Sequence, residues 1–202
     1  MADQSAAANS LVTLISAAAY PLGTASPSVT GDAVKVFAGW PNPDALLKDM
    51  AAGTVNVSVF PRPGEKITSI MLGDTEWIDD SNTGTTGVTS RELRRQTKTF
   101  QITVWASCFD HRDAVANAID VALSITTRII LSDGSTGIVS FVNSTQNDDQ
   151  QKAGIYRRDL FYAVNYATVQ ALPAFNIIST VTTLTAGPTP DPTGPTVTIT
   201  RP

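Results

Sequence analysis

The chain has one histidine and one cysteine, and they stand three residues apart as Cys108 and His111. That spacing, at the start of a helical pattern, can serve a thiol nucleophile with its base or two ligands of a soft metal. A metal site would need further Cys or His, and the sequence has none. A histidine in the first turn of a helix also meets a dipole that disfavours its imidazolium form. Cys108 is therefore expected as a small buried hydrophobe, with neither a catalytic nor a metal role. Four acids, Asp74, Glu76, Asp79 and Asp80, crowd one short segment. They lack the D-x-D-x-D-G run and closing Glu of a calcium loop and read as a solvated face. Arg91, Arg94 and Arg95 follow, with Lys98 close behind. Guanidinium forks suit phosphate or, in an acidic protein, a partner's carboxylates. Both groups are taken as candidate partner-binding residues. Neither G-x-G-x-x-G nor G-x-x-x-x-G-K-[ST] occurs, so no cofactor is expected. The three Trp and four Tyr are spread too widely for a base-stacking platform.

The elements that would hold these groups centre on Lys98 to Thr126. Phe100, Ile102, Val104 and Ala106 alternate with Thr99, Gln101, Thr103 and Trp105, the pattern of a strand apolar on one face. The period then changes. Val115, Ala118, Ile119, Ala122 and Ile125 form a helical stripe, with Asp110 as expected N-cap and Asp113 adding charge at the positive end. Before this pair, residues 5–19 predict a helix with Leu11, Leu14, Ile15 and Ala18 on one stripe, ended by Tyr20-Pro21. Ala33 to Phe37 predicts a short strand. Asn42 then caps a helix that starts at Pro43 and buries Leu46, Leu47 and Met50. Val55, Val57 and Val59 alternate in a strand that Pro61-Arg62-Pro63-Gly64 breaks.

Residues 61–97 read as a long arm, either hairpin or loop, with Ile67, Ile70 and Leu72 as one short strand. Ser132-Asp133-Gly134-Ser135 between apolar runs predicts a hairpin. Thr145 to Lys152 reads as a polar loop, and Ile155 to Val169 as a long last strand of the body. Beyond residue 170, six of the 12 prolines fall in residues 173–202, with only Asp191 and Arg201 charged. Ile177–Leu184 and Val197–Thr200 are candidate strands there, the second able to join a partner's sheet edge. The expected architecture is α+β: a two-layer body over 1–170 with a mixed or antiparallel sheet and helices mainly on one face. An extended tail over 171–202 follows it.

Composition narrows the function classes. Of 202 residues, 42% are apolar and only 16% are charged. An average globular protein is about 25% charged, so this surface is poor in charge. A net charge of −4 disfavours counter-ion-driven binding to DNA. No apolar run reaches the ~18 residues of a membrane span, so no membrane partner is expected. No Lys or Arg precedes Lys35, so no secretory leader is expected either, and synthesis in a cytoplasm is.

The order of elements resembles the tail terminator (tail-completion, or neck) proteins of long-tailed bacteriophages. The likeness rests on the leading helix, on PNPDALLKDMAAG followed by TVNVSVFPRPG, on RRQTKTFQITVWASCFDHRDAVANAIDVAL, and on the closing YRRDLFYAVNYAT. It spans roughly residues 5–170 and does not reach the tail. It implies a virion protein whose copies close a ring, commonly a hexamer, that caps the tail tube and joins it to the head–tail connector. DNA would pass through the lumen without specific binding, and no catalytic residue is implied. A heterologous ring interface suits a chain of low charge density with an arm and an extension. Alternatives are a tube or adaptor subunit, a small hydrolase using Cys108 and His111, and an extracellular carbohydrate-binding module, which would need a leader.

Overall fold

A computed structural model describes residues 4–64, 66–69, 76–79, 86–132, 134–147, 149, 153–175, 180–185 and 196–201. The elements in order are α1 (Gln4–Ala19), β1 (Val34–Ala38), α2 (Pro43–Ala51), β2 (Val55–Pro61), β3 (Lys66–Ser69), β4 (Glu76–Asp79) and β5 (Thr86–Ala106). Then come α3 (Phe109–Ile125), β6 (Arg128–Ile130), β7 (Thr136–Asn147), β8 (Tyr156–Phe175), β9 (Thr180–Thr185) and β10 (Thr196–Arg201). The fold is α+β, as the order of patterns predicts. Two units divide the chain: Met1–Gly73 with Glu92–Val169, and Asp74–Arg91 with Gln170–Pro202.

The larger unit carries a curled mixed sheet in the order β1-β2-β5-β8-β7-β6, with β3 beside β5. Among the described strands β1 and β2 form a parallel pair, and α2 makes the crossover between them. β2 runs antiparallel to β5, as β7 does to both β8 and β6. Two side-chain links cross from β5 to β8, Thr103 to Asp159 and Thr97 to Asn165. As one strand is followed backwards the other advances, so this central pair is antiparallel too. In the smaller unit β4 lies antiparallel to Val88–Arg91, and β10 pairs antiparallel with β9.

Alternation sets the core. Val55, Val57 and Val59 join Phe100, Ile102, Val104 and Ala106, and Leu160, Tyr162, Val164 and Tyr166 of β8, on one buried face. Over them α1 lays Ala7, Leu11 and Ile15, and α3 lays Val115, Ala116, Ile119 and Leu123. Each large side chain buried this way contributes about 1.5–3 kcal/mol. Between β6 and β7 the Asp-Gly signal holds: Gly134 has φ +80 and its N–H reaches the Leu131 carbonyl at 2.9 Å.

Helix α2 sits on the opposite face. Its Ala45, Leu46 and Asp49 meet Lys35, Phe37 and Asn56, which point away from the core valines. Asn42 caps it as predicted, its side chain accepting from Asp44 N–H at 3.0 Å and Ala45 N–H at 3.3 Å. Asn42→Ala should lower stability by about 1 kcal/mol, read as a lower urea midpoint with an unchanged slope. Leu47, expected inside, is 54% exposed, because this short helix covers only one end of the sheet and its far side meets water.

Other expectations give way to pairing. β5 starts at Thr86 rather than near Lys98, because β3 and β4 each pair with its first half. β7 runs on to Asn147 through the polar stretch read as loop, held residue by residue against Arg157–Phe161. The N-cap of α3 is Cys108 (φ −139), without a side-chain capping bond, and Asp110 lies in the first turn instead. Ile125 ends α3 76% exposed, since the buried stripe runs Val115, Ala116, Ile119 and Leu123. Ile70, Leu72, Asp74, Asp80 and the proline run 187–195 lie outside the described residues.

Candidate interaction surface

Turned away from α1 and α3, the second face of the sheet should be wet on its alternation alone. Its centre is dry. Gln101, Thr103, Trp105, Asn56 and Ser58 are all buried, Thr103 completely at 0% exposure. A hydrogen-bonded chain satisfies Gln101 and Thr103 there, and Asn56 donates to the Thr54 carbonyl, while the Ser58 hydroxyl is buried without a hydrogen-bond partner. Arg62 Nη1 donates to Gln101 Oε1 (3.1 Å), Gln101 Nε2 to Thr103 Oγ1 (3.1 Å), and the Thr103 hydroxyl to Asp159 Oδ1 (2.7 Å). Arg157 closes it with two bonds to Asp159, Nε to Oδ1 at 3.0 Å and Nη2 to Oδ2 at 2.9 Å. All dipoles run toward one carboxylate, so each bond strengthens the next.

Aromatic rings lid this chain. Trp40 meets Phe60 and Trp105 edge-to-face at 5.7 and 5.6 Å, Arg157 lies over Trp40 at 5.7 Å, and Arg62 over Phe161 at 5.6 Å. Two of the three tryptophans thus come together, edge to face and with Trp105 buried. Trp40 and Trp105 are remote in sequence, and only the pairing of β2 with β5 joins their surroundings. The legible signal was a tryptophan on the polar side of a strongly alternating strand. Trp40 remains 53% exposed. Arginine and tryptophan at a half-open surface are the residue types that anchor protein interfaces.

Of the acidic and basic groups read from the sequence, strand register sets one pair opposite: Arg91 faces Glu76 in the β4–β5 pairing, while Asp79 lies opposite Val88. Arg94 is exposed, and Arg95 is half-buried opposite Ser69. Asp74 and Asp80 lie outside the described residues.

At the start of α3, His111 Nδ1 stands 3.0 Å from Asp32 Oδ2, close enough for an ion pair but off the line of a hydrogen bond. Asp32 comes from the loop after α1, a partner that spacing could not reveal. Cys108 is half-buried rather than buried. Its neighbour Arg112 is the surprise: 1% exposed, it bonds Asp113 Oδ1 through Nε (2.9 Å) and faces the Phe109 and Tyr156 rings at 5.9 and 6.0 Å. Among the described residues no three His, Cys, Asp or Glu gather as metal ligands do.

Tyr162 holds α3 to the sheet, its hydroxyl donating to Asp120 Oδ1 at 2.5 Å. Burial, and then this bond to a carboxylate, push its pKa up from 10.0 to about 12. The folded state therefore binds the phenolic proton more tightly than the unfolded chain. Its stabilisation is complete below pH 10 and is lost as pH rises toward 12. Tyr162→Phe should remove that alkaline loss, seen as a flatter stability curve between those pH values.

Two concavities lie among the described residues of this unit. A cleft of about 220 Å³ between α2 and the sheet is lined by Phe37, Trp40, Leu46 and the Lys35–Asp49 pair. A shallower groove of about 380 Å³ runs between α1 and β6, lined by Asn9, Ser10, Thr13 and Ile130. Neither gathers acid, base and nucleophile. No helix among the described residues is long and apolar enough to cross a membrane.

Comparison with solved structures gives several likenesses. No family model matches the sequence, and no curated protein does. A solved chain described as "Virion of native gene transfer agent (GTA) particle" is similar over 82% of this chain and 100% of its own, with 19% identity and a TM-score of 0.39. Figures that low leave the task to be argued from the surface itself.

Proposed function

We propose that this chain is a structural subunit of a phage-like virion, a tail terminator whose copies close a ring, commonly a hexamer, capping the tail tube. Its partners are then the tube protein on one side and the head–tail connector on the other, with DNA passing through the lumen. One observation carries the reading: the body leaves Trp40, Phe109, Val121, Ile125, Ile130 and Phe141 exposed. A surface that apolar and that poor in charge suits contact with protein. The pattern resemblance over residues 5–170 adds direction to it, and the role carries no catalytic step. Within it Arg91, Arg94 and Arg95, together with Asp74, Glu76, Asp79 and Asp80, are the residues proposed to meet the tube or connector.

The test is assembly. Native mass or negative-stain imaging of the purified protein should give a closed ring; a filament would favour a tube subunit, and a monomer would remove the role. Changing Arg91, Arg94 and Arg95 together to Glu should abolish head–tail joining while the subunit stays folded. The His111–Asp32 contact favours one rival, a Cys108 hydrolase. Cys108→Ala particles with full infectivity would remove it.

A further inference from the structure

The two broad faces of the larger unit differ in kind. Beyond α2, the described residues of the open sheet face include Arg62, Arg95, Arg128 and Arg157, with the carboxylate of Asp159 among them. Its exposed apolar residues include Trp40 and Ile138. The outer side of α3 has the opposite sign. Asp110 and Asp113 lie along it, while Arg112 is turned inward, Arg158 is drawn to Asp113 and Asn117, and Asp120, on the flank, is held by Tyr162 of the core. Beside those acids a second apolar stripe, Ala114, Ala118, Val121 and Ile125, repeats at helical spacing. Val121 in it is 58% exposed.

Resting on the reading of this chain as an assembling subunit, we infer that the outer face of α3 in one copy docks on the arginine–aromatic sheet face of the next. Charge complementarity selects this occupant. Arg157 is already held by Asp159, so a partner for the sheet face must bring a carboxylate to Arg128 and apolar side chains to Trp40 and Ile138. The chain's own α3 supplies both on one helix. Docking there turns two layers into three, helix on sheet on helix, which is the usual way a sheet loses its wet side. Because the two surfaces are unlike, the contact is heterologous and repeats from copy to copy. The arginines set orientation and rate of encounter, and the apolar stripe supplies most of the hold.

The test uses the full chain in two variants, each changed only at exposed positions. Val121→Asp with Ile125→Asp spoils the helix face; Arg128→Glu with Ile138→Asp spoils the sheet face. Circular dichroism and urea midpoints establish that both remain folded, and Trp40→Ala serves as a second sheet-face variant. By native mass each variant alone should drop from the wild-type assembly to monomer. Mixed one to one, the two should give a heterodimer and stop there, since each keeps one good surface. Either variant assembling like wild type, or a mixture that stays monomeric, would overturn the inference while leaving the ring itself standing. A wild-type chain that is monomeric at every concentration would remove the subunit reading and this contact with it.

Discussion

Asp159→Ala should destabilise the protein by about 2–4 kcal/mol, measured as a lower urea midpoint with unchanged slope. Asp159 is the acceptor at which the polar chain ends, and its loss strands two donors at once. The Thr103 hydroxyl, wholly buried, has its 2.7 Å bond to this carboxylate alone to donate to. Arg157 loses both of its bonds to the carboxylate, though its side chain is 33% exposed. Water recovers part of that deficit. Asp159→Asn keeps an acceptor oxygen in place and should lose about half as much, since the charge assistance goes but the geometry remains. The discriminating variant is Thr103→Val with Asp159→Ala. With the stranded hydroxyl removed, the double change should be less damaging than the sum of the two singles. Strict additivity would mean that the network is a set of independent contacts.

Phe100→Ala should remove about 3–5 kcal/mol, a large part of the roughly 5–15 kcal/mol that holds a domain together. Phe100 is 0% exposed, opposite Pro61 on β2, with the core residues of β2 and β8 around it. Those neighbours are strand residues fixed by their ladders, so the cavity cannot collapse and the packing term is lost almost whole. Ile125→Ala is the internal control. An equally apolar residue in the adjoining helix, it is exposed on the single subunit and should shift the monomer's stability by no more than about 0.5 kcal/mol. A Phe100→Ala change as mild as the control would mean that the core repacks.

The contrast between those two residues also marks what could be read before the fold was known. Strict alternation identified the face of Phe100, because a strand offers only two sides. Helical periodicity is less decisive. Val115, Ile119 and Leu123 define one stripe and Ala118, Ala122 and Ile125 another close beside it, and the choice between them belongs to the sheet beneath. The caps and turns were legible where chemistry is local, as at Asn42 and Gly134. The polar face was not. Thr103 and Gln101 are ordinary exposed strand residues until Asp159, 56 positions away, supplies the acceptor that lets them be buried. No pattern along the chain encodes that partner, nor the Asp32 that stands beside His111.

That separation also bears on how the protein is made. β5 and β8 are neighbours at the middle of the sheet, yet Thr103 and Asp159 are 56 residues apart. At a translation rate of ~5–20 residues per second, β5 leaves the ribosome about 3–11 s before its central partner does. Throughout that interval one long edge, rich in Val, Ile and Phe, has no strand on its β8 side. A nascent chain in this condition is a natural client for a chaperone, and slowing translation between β5 and β8 should lower the yield of soluble protein more than the same delay placed after β8.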